Sequence, residues 1–456
     1  MPEPKDPEKL TRAVVDACAD CDVCRDLMDV NCLMFPELYR LWDRETDGGA
    51  SITAIDLRRL VDLCNFCALC PCPNIRSDLM TAKSAFIQRD GLGRRVRIVE
   101  DVALVSRICG TFPQLTNRLF RLQTIRSCGN RMMGLHSERF LPTFPAENFP
   151  SWAKSHNLHH KPRKGPRKVA YFAGCTANYL FPEVAEAVVL LLQSNGIEVW
   201  VPPQNCCGMP TFLEGDQRLT RKFIRSVIPI LLEAVKDGFE IVCSCPTCGF
   251  FLKCLIKEGA YYSDEYQASV HADRNVLLVP DETATPADGG KRSFLHLSRM
   301  IYGKILVDKG DFSFIPPMQR IQVAEHTRDL GEYLSGLYRA GEIDLPESGT
   351  KERLIYFPPC HQREQQIGRP YLELLENVPG LSIQPLTGTL YCCGMAGIMG
   401  FKQDFHEASL KIGRPLMEKI EKSKADRIVT DCLSCRLQFN QTLSLPVSHP
   451  VEILNP

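Results

Sequence analysis

No run in this 456-residue chain stays apolar for the roughly 18 residues that a membrane-spanning helix requires. The best stretch, Val227 to Val235, is short and contains Glu233. A surplus of one charge is missing too. The 54 Lys and Arg face 54 Asp and Glu, so no global field points to nucleic acid. Met1 to Leu10 is charged and has no apolar segment of the kind that marks a secretory leader, so the expectation is a cytoplasmic chain. There is no Gly-x-Gly-x-x-Gly fingerprint, which argues against a flavin or nicotinamide site on this polypeptide.

Cysteine, in contrast, is abundant, with 22 residues. In a reducing compartment such a chain is more often metal-binding or redox-active than stapled by disulfides. Buried structural thiols, which behave as small apolar residues, would be scattered along the sequence. Here 18 of the 22 fall into repeating clusters, and only Cys109, Cys128, Cys243 and Cys254 stand outside them.

The length allows two to four domains. Residues 1–104 hold two compact cysteine runs separated by a helical-looking stretch. Residues 105–168 form a connector with twelve Lys or Arg between Arg107 and Lys168 against two acids, Glu138 and Glu147. Pro142, Pro145, Pro150 and Pro162 break up its second half, which reads as a linker.

The remainder repeats itself. Val169-Ala-Tyr-Phe-Ala-Gly-Cys175 corresponds to Leu354-Ile-Tyr-Phe-Pro-Pro-Cys360, Cys206-Cys207-Gly208-Met209 to Cys392-Cys393-Gly394-Met395, and Cys245-x-x-Cys248 to Cys432-x-x-Cys435. The offsets are 185, 186 and 187 residues. Residues 169–350 and 351–456 are therefore read as two related α/β domains. Val169 to Phe172, Ile197 to Val201, Glu240 to Val242 and Arg427 to Thr430 read as strands. Val184, Ala187, Val188, Leu191 and Leu192 follow a helical period ended by Gly196, and Tyr371, Leu374, Leu375 and Val378 give the second half its helix. Strand–helix alternation predicts mostly parallel sheets with ligands at strand C-terminal ends. Residues 255–350 are expected to finish the first half with helices, with a surface loop near Asp281 to Gly290.

In the N-terminal region Cys18-x-x-Cys21-x-x-Cys24 is followed by Cys32, and Cys64-x-x-Cys67-x-x-Cys70 by Cys72-Pro73. A cubane needs four thiolates. In two-cluster ferredoxins the fourth cysteine of each run ligates the other cluster. By that rule one 4Fe–4S cubane takes Cys18, Cys21, Cys24 and Cys72, and the other takes Cys64, Cys67, Cys70 and Cys32. Both fourth spacings depart from the usual one, with seven residues between Cys24 and Cys32 and one between Cys70 and Cys72. Tetrahedral zinc is the alternative occupant of paired Cys-x-x-Cys motifs.

In the two later halves adjacent thiolates cannot easily both bind one metal ion, but they can bridge neighbouring irons of an extended cluster. Gly208 and Gly394 permit the backbone angles such a turn needs. The Cys-x-x-Cys pairs are expected to open helices, where partial positive charge favours thiolate. Cys243 and Cys254 crowd the first set without counterparts in the second and are left unassigned.

This pattern resembles the cysteine-rich CCG domain of the heterodisulfide reductase B-type family, which also occurs in glycolate oxidase iron–sulfur subunits and lactate-utilisation proteins. The order, a helical ferredoxin-like dicluster domain and then two CCG domains, is similar to the C-type chains of anaerobic glycerol-3-phosphate dehydrogenases. So are Pro359-Cys-His-Gln-Arg, Ile367-Gly-Arg-Pro, Cys392-Cys-Gly-Met-Ala-Gly, Gly400-Phe-Lys and Thr430-Asp-Cys-x-x-Cys435. The resemblance implies electron transfer from a flavoprotein dehydrogenase toward quinone or another acceptor. It also implies a noncubane 4Fe–4S cluster on Cys175, Cys206, Cys207, Cys245 and Cys248, and a second on Cys360, Cys392, Cys393, Cys432 and Cys435, with zinc an alternative at one site.

The competing functions are disulfide reduction at a CCG cluster and a noncatalytic metal scaffold. The basic connector, with Leu119, Leu122, Ile125 and Phe140, suits peripheral contact with the inner face of an anionic membrane, a partner-docking face or a solvated linker. His361 reads as a hydrogen-bonded structural residue beside Cys360, with cluster tuning or proton relay as the other reading. His159-His160 reads as solvated.

Overall fold

The computed structural model describes residues 6–30, 32–64, 66–67, 69–162, 167–281, 293–347, 351–386 and 391–455. Its N-terminal region is built on four longer helices, Pro7–Cys21, Met34–Thr46, Ala54–Leu63 and Pro73–Asp90. Their starts follow local chemistry. Asp6 caps the first through the Lys9 amide at 3.2 Å, Thr53 and Asp56 form a capping box, and Pro73 sits at the first position of the fourth. Val15, Leu38, Leu60, Val61 and Phe86 meet in the core between them. Among the described residues no strand precedes Lys168.

Helices continue into the connector: Val102–Gly110, Pro113–Phe120, Gln123–Met133 and Phe149–Ser155. Pro113 and Pro150 lie in the first turns of two of these, where a missing N–H costs nothing. Phe112, Leu115, Leu122, Ile125 and Met132 are exposed on this stretch, whereas Arg139 is wholly buried.

Among the described residues ten strands follow: β1 Lys168–Phe172, β2 Glu198–Trp200, β3 Glu240–Cys243, β4 Val276–Pro280, β5 Phe294–Ser298, β6 Thr327–Asp329, β7 Arg353–Tyr356, β8 Ser382–Pro385, β9 Arg427–Val429 and β10 Val447–Ser448. The first sheet runs β2-β1-β3-β6 and the second β8-β7-β9-β10, all parallel, so the sequence repeat is also a repeat of topology. Helix Pro182–Ser194 crosses from β1 to β2 with Val184, Ala185, Val188 and Leu192 fully buried, and Pro370–Glu376 crosses from β7 to β8. Helices Gln217–Lys236 and His406–Lys422 make the next crossovers. Each contains an internal proline, Pro229 and Pro415, at equivalent places in the repeat. Val169, Tyr171 and Val188 share one apolar core with Ile355, Tyr356, Leu416 and Ile428, so the halves are packed against each other.

Residues 255–350 carry the expected helices, but strands finish the first half as well. Antiparallel β4 and β5 lie there, and β6 completes the first sheet. The short apolar run Val276–Pro280 cannot be told from a buried helical turn by period, and Thr327–Asp329 carries no apolar signal. Beyond Asp281, the expected surface loop lies outside the described residues. Among the described residues no helix is long and apolar enough to cross a membrane.

Candidate cluster-binding sites

All ten cysteines of the repeated halves lie just beyond strand C-terminal ends, where a parallel α/β sheet gathers its ligands. Cys175 follows β1, Cys206 and Cys207 follow β2, and Cys245 and Cys248 follow β3. Cys360, Cys392, Cys393, Cys432 and Cys435 follow β7, β8 and β9 in the same order. Both Cys-Cys-Gly turns need their glycine, with φ of 106° at Gly208 and 87° at Gly394. Each turn aims an amide at the first sulfur, Gly208 N to Cys206 Sγ at 3.5 Å and Gly394 N to Cys392 Sγ at 3.3 Å. Cys245 and Cys432 occupy the N-cap positions of helices Pro246–Phe250 and Leu433–Thr442, as the sequence predicts.

The sulfurs within each half are close enough to share protons. Cys435 donates to Cys393 at 3.1 Å. Hydrogen bonds from Cys206 and then Cys248 bring the Cys207 thiol down to about 6, and one from Cys248 brings Cys245 to about 7. Cys393 is likewise lowered by Cys392 and Cys435. Cys360 is pushed up to about 12 by burial and by its neighbours Cys393 and Cys432. Burial and mutual repulsion thus oppose a full set of thiolates. A cationic inorganic core is the kind of partner that relieves both. Arg139 adds a protein charge here. Its guanidinium donates to Gln438 Oε1 at 2.8 Å, lies over the Phe401 ring and helps hold the Cys393 pKa down, while burial lowers its own to about 10. It lies among connector residues whose sequence gives no sign of this role.

In the N-terminal region charge interactions sort the eight cysteines into two neighbourhoods. Burial raises Cys18 to about 12, reinforced by Cys24, Cys72, Cys21 and Cys70. Burial raises Cys24 too, followed by Cys72 and Cys21. Cys32, raised to about 12 by burial, interacts with Cys64 and Cys70, and Cys67 with Cys32, Cys360 and Cys64. Cys72 is thus a charge neighbour of Cys18 and Cys24, and Cys32 of Cys64 and Cys67, while Cys70 interacts with both groups. Cys67 and Cys392 also interact, and Cys392 packs into the N-terminal core.

A cavity of about 140 Å3 joins these sets. Cys67, Cys175, Cys207, Cys248, Cys360 and Cys393 are on its wall, which the connector completes with Val105, Met133 and Leu135. His361 lies at this junction. Its Nε2 donates to Phe66 O at 3.4 Å, its Nδ1 accepts from Thr247 Oγ1 at 3.0 Å, and its ring stacks on Phe250. It ties three segments together, and burial lowers its pKa to about 4. The ion pair Lys402–Glu214 at 2.8 Å links the halves, and Arg76–Glu364 at 2.7 Å ties the N-terminal region to the second half. Cys243 is buried in β3, Cys109 is buried, Cys254 is half-buried and Cys128 is exposed. His159 and His160 are exposed, as expected.

A family model for a cysteine-rich domain, CCG, matches residues 169–253 and again 354–440. The chain is 26% identical over 359 residues to the C subunit of the anaerobic glycerol-3-phosphate dehydrogenase of Escherichia coli strain K12, covering 78% of this chain and 75% of that one. It is 23% identical over 291 residues to the B subunit of the fumarate reductase (CoM/CoB) of Methanothermobacter marburgensis, covering 63% and 45%. To an uncharacterized iron–sulfur protein of Methanococcus maripaludis it is 22% identical over 281 residues, covering 61% and 42%. Relatives of these kinds support iron–sulfur chemistry and a redox role. The duplicated sheets, each with its five sulfurs at the strand ends, are two cysteine-rich CCG domains carried in tandem by this chain.

Proposed function

We propose that this chain is the iron–sulfur electron-relay subunit of an oxidoreductase complex, taking electrons from a flavoprotein dehydrogenase and passing them toward quinone or another acceptor. The observation that carries the reading is the position of Cys67, which interacts with Cys360 and Cys392 and shares a cavity with both CCG sets. Cys18, Cys21, Cys24 and Cys72 would hold one 4Fe–4S cubane, and Cys64, Cys67, Cys70 and Cys32 the other. The two CCG quintets would each hold a noncubane 4Fe–4S cluster. Bound there, such groups supply one-electron redox chemistry. The chain supplies the sulfurs, the amides of Gly208 and Gly394, and the nearby charge of Arg139.

The exposed apolar residues and arginines of the connector helices support a peripheral membrane contact, by which a lipid-soluble quinone would reach the cavity. The same cavity gives a second reading, disulfide reduction between the CCG sets, because it has room for a small substrate against Cys207 and Cys393.

Anaerobically purified full-length chain should carry iron and sulfide, show no turnover alone, and undergo reduction, followed by EPR, when its copurifying partner and that partner's substrate are added. Disulfide turnover with an artificial donor would favour the second reading. A colourless, iron-free protein after reconstitution with iron and sulfide would overturn both. Flotation with anionic liposomes tests the membrane contact, which fails if no binding occurs at low salt.

A further inference from the structure

Away from the cysteines, three side chains converge where the connector meets the second CCG domain. Ligand atoms of His136, Glu138 and His406 all lie within 4.8 Å of one another. The two imidazoles stack nearly parallel, with ring centroids 4.0 Å apart and planes 8° from each other. His406 opens helix His406–Lys422 and is 1% exposed, while His136 is partly exposed and Glu138 faces solvent.

The backbone here is fixed before any ligand arrives. Leu135 pairs with Lys402 in an antiparallel bridge, His136 N donates to Phe401 O at 3.0 Å, and Gln403 N donates to Gly134 O at 3.2 Å. The fully buried Asn130 holds the turn from inside, donating its side-chain amide to the carbonyls of His136 at 3.0 Å and Arg139 at 3.1 Å. The tautomer of His406 is also set. Its Nδ1 faces the Gly400 carbonyl at 3.4 Å and can only donate there, which leaves Nε2 with its lone pair. An imidazole whose second nitrogen donates to a backbone carbonyl is oriented as metal-ligating histidines usually are. The His136 ring accepts at Nδ1 from the Glu138 amide over a long 3.4 Å.

We propose that His136, Glu138 and His406 bind one divalent first-row transition ion of the zinc class, which clasps the connector to the second CCG domain. Two imidazoles and a carboxylate form a donor set with at least one position left for water, a set suited to zinc and ferrous iron and unlike the sulfur sets nearby. Coordination turns the more exposed His136 ring out of the parallel stack. Because Leu135 and Phe401 both line the cavity beside the cysteines, the ion pins one of its walls.

The test uses full-length, cluster-loaded protein kept anaerobic and stripped of loosely held metal. Zn(II) is titrated while zinc and iron are both counted by mass spectrometry, and the zinc K-edge spectrum is recorded. The expected result is one zinc with imidazole and oxygen ligands at about 2.0–2.2 Å and no sulfur shell. His136→Asn should lose that equivalent and Glu138→Gln should bind at least tenfold more weakly, with iron content unchanged. Neither variant replaces the buried His406, so both test binding without removing a core side chain. Equal zinc uptake and affinity in wild type and His136→Asn, or a sulfur-only shell, would overturn the proposal.

Discussion

Replacing Glu100 with glutamine should flatten the dependence of stability on pH. Glu100 follows helix Arg94–Val99 and is fully buried, with the Asp216 carboxyl close enough to share the proton that a neutral Glu100 keeps. Burial, then repulsion from Asp216 and Glu214, raises its pKa to about 9 from an ordinary 4.5, with Arg97 opposing weakly. Between those values the folded chain keeps a proton that the unfolded chain has released. Stability from this group is therefore complete below the unfolded pKa and falls as pH rises toward 9. The slope is about 1.4 kcal/mol per pH unit, so raising the pH by about two units costs up to roughly 3 kcal/mol. Glutamine carries no proton to lose, and its difference from wild type isolates this one group. Thermal melts of anaerobic, cluster-loaded protein across that range give Tm against pH. The variant should gain on wild type steadily with rising pH. Parallel curves would refute a neutral, buried Glu100.

Three further outcomes follow from named contacts. Gly394→Ala puts a methyl 2.1 Å from Ser409 O at φ 87°, and should cost roughly 2–5 kcal/mol. Gly208→Ala, whose nearest contacts are at 3.4 Å, should cost less; equal denaturation midpoints for the two would contradict this. Lys402→Met leaves Glu214 buried without its ion pair and should destabilise by about 3–5 kcal/mol, most of it recovered by adding Glu214→Leu, which urea unfolding of the pair checks. Arg139→Gln removes a positive charge near Cys393, so a redox centre held there should become harder to reduce by on the order of tens of millivolts, measured by EPR-monitored titration.

The sulfur positions were legible because the same cysteine motifs recur in order in both halves, and Val169–Phe172 before the first of them is apolar enough to read as a strand. The edge strands were not. Thr327–Asp329 and Val447–Ser448 are too short to show a period and are specified by the parallel neighbours they join. In the connector, Pro150, one of the four prolines read as breaks, lies in the first turn of a helix, and the burial of Arg139 depends on Phe401 and Gln438, roughly 260 and 300 residues further along the sequence. His361 could be assigned a hydrogen-bonded place, but not its partners, because Phe66 and Thr247 belong to other segments.

The first sheet reaches its edge strand only after a long excursion from Cys243 to Thr327, whereas the second passes from Val429 to Val447 through the single helix Leu433–Thr442 among the described residues. Since β6 and β10 occupy the same place in sheets of the same order, the length of that detour does not alter the architecture. Extra polypeptide has a natural point of entry there, after the sulfur-bearing crossovers are complete. A spectroscopic label or a purification handle placed in β4–β5 would therefore leave the inner strands and their order untouched, and the same segment offers evolution room to fit the chain to a new companion without rebuilding its redox interior.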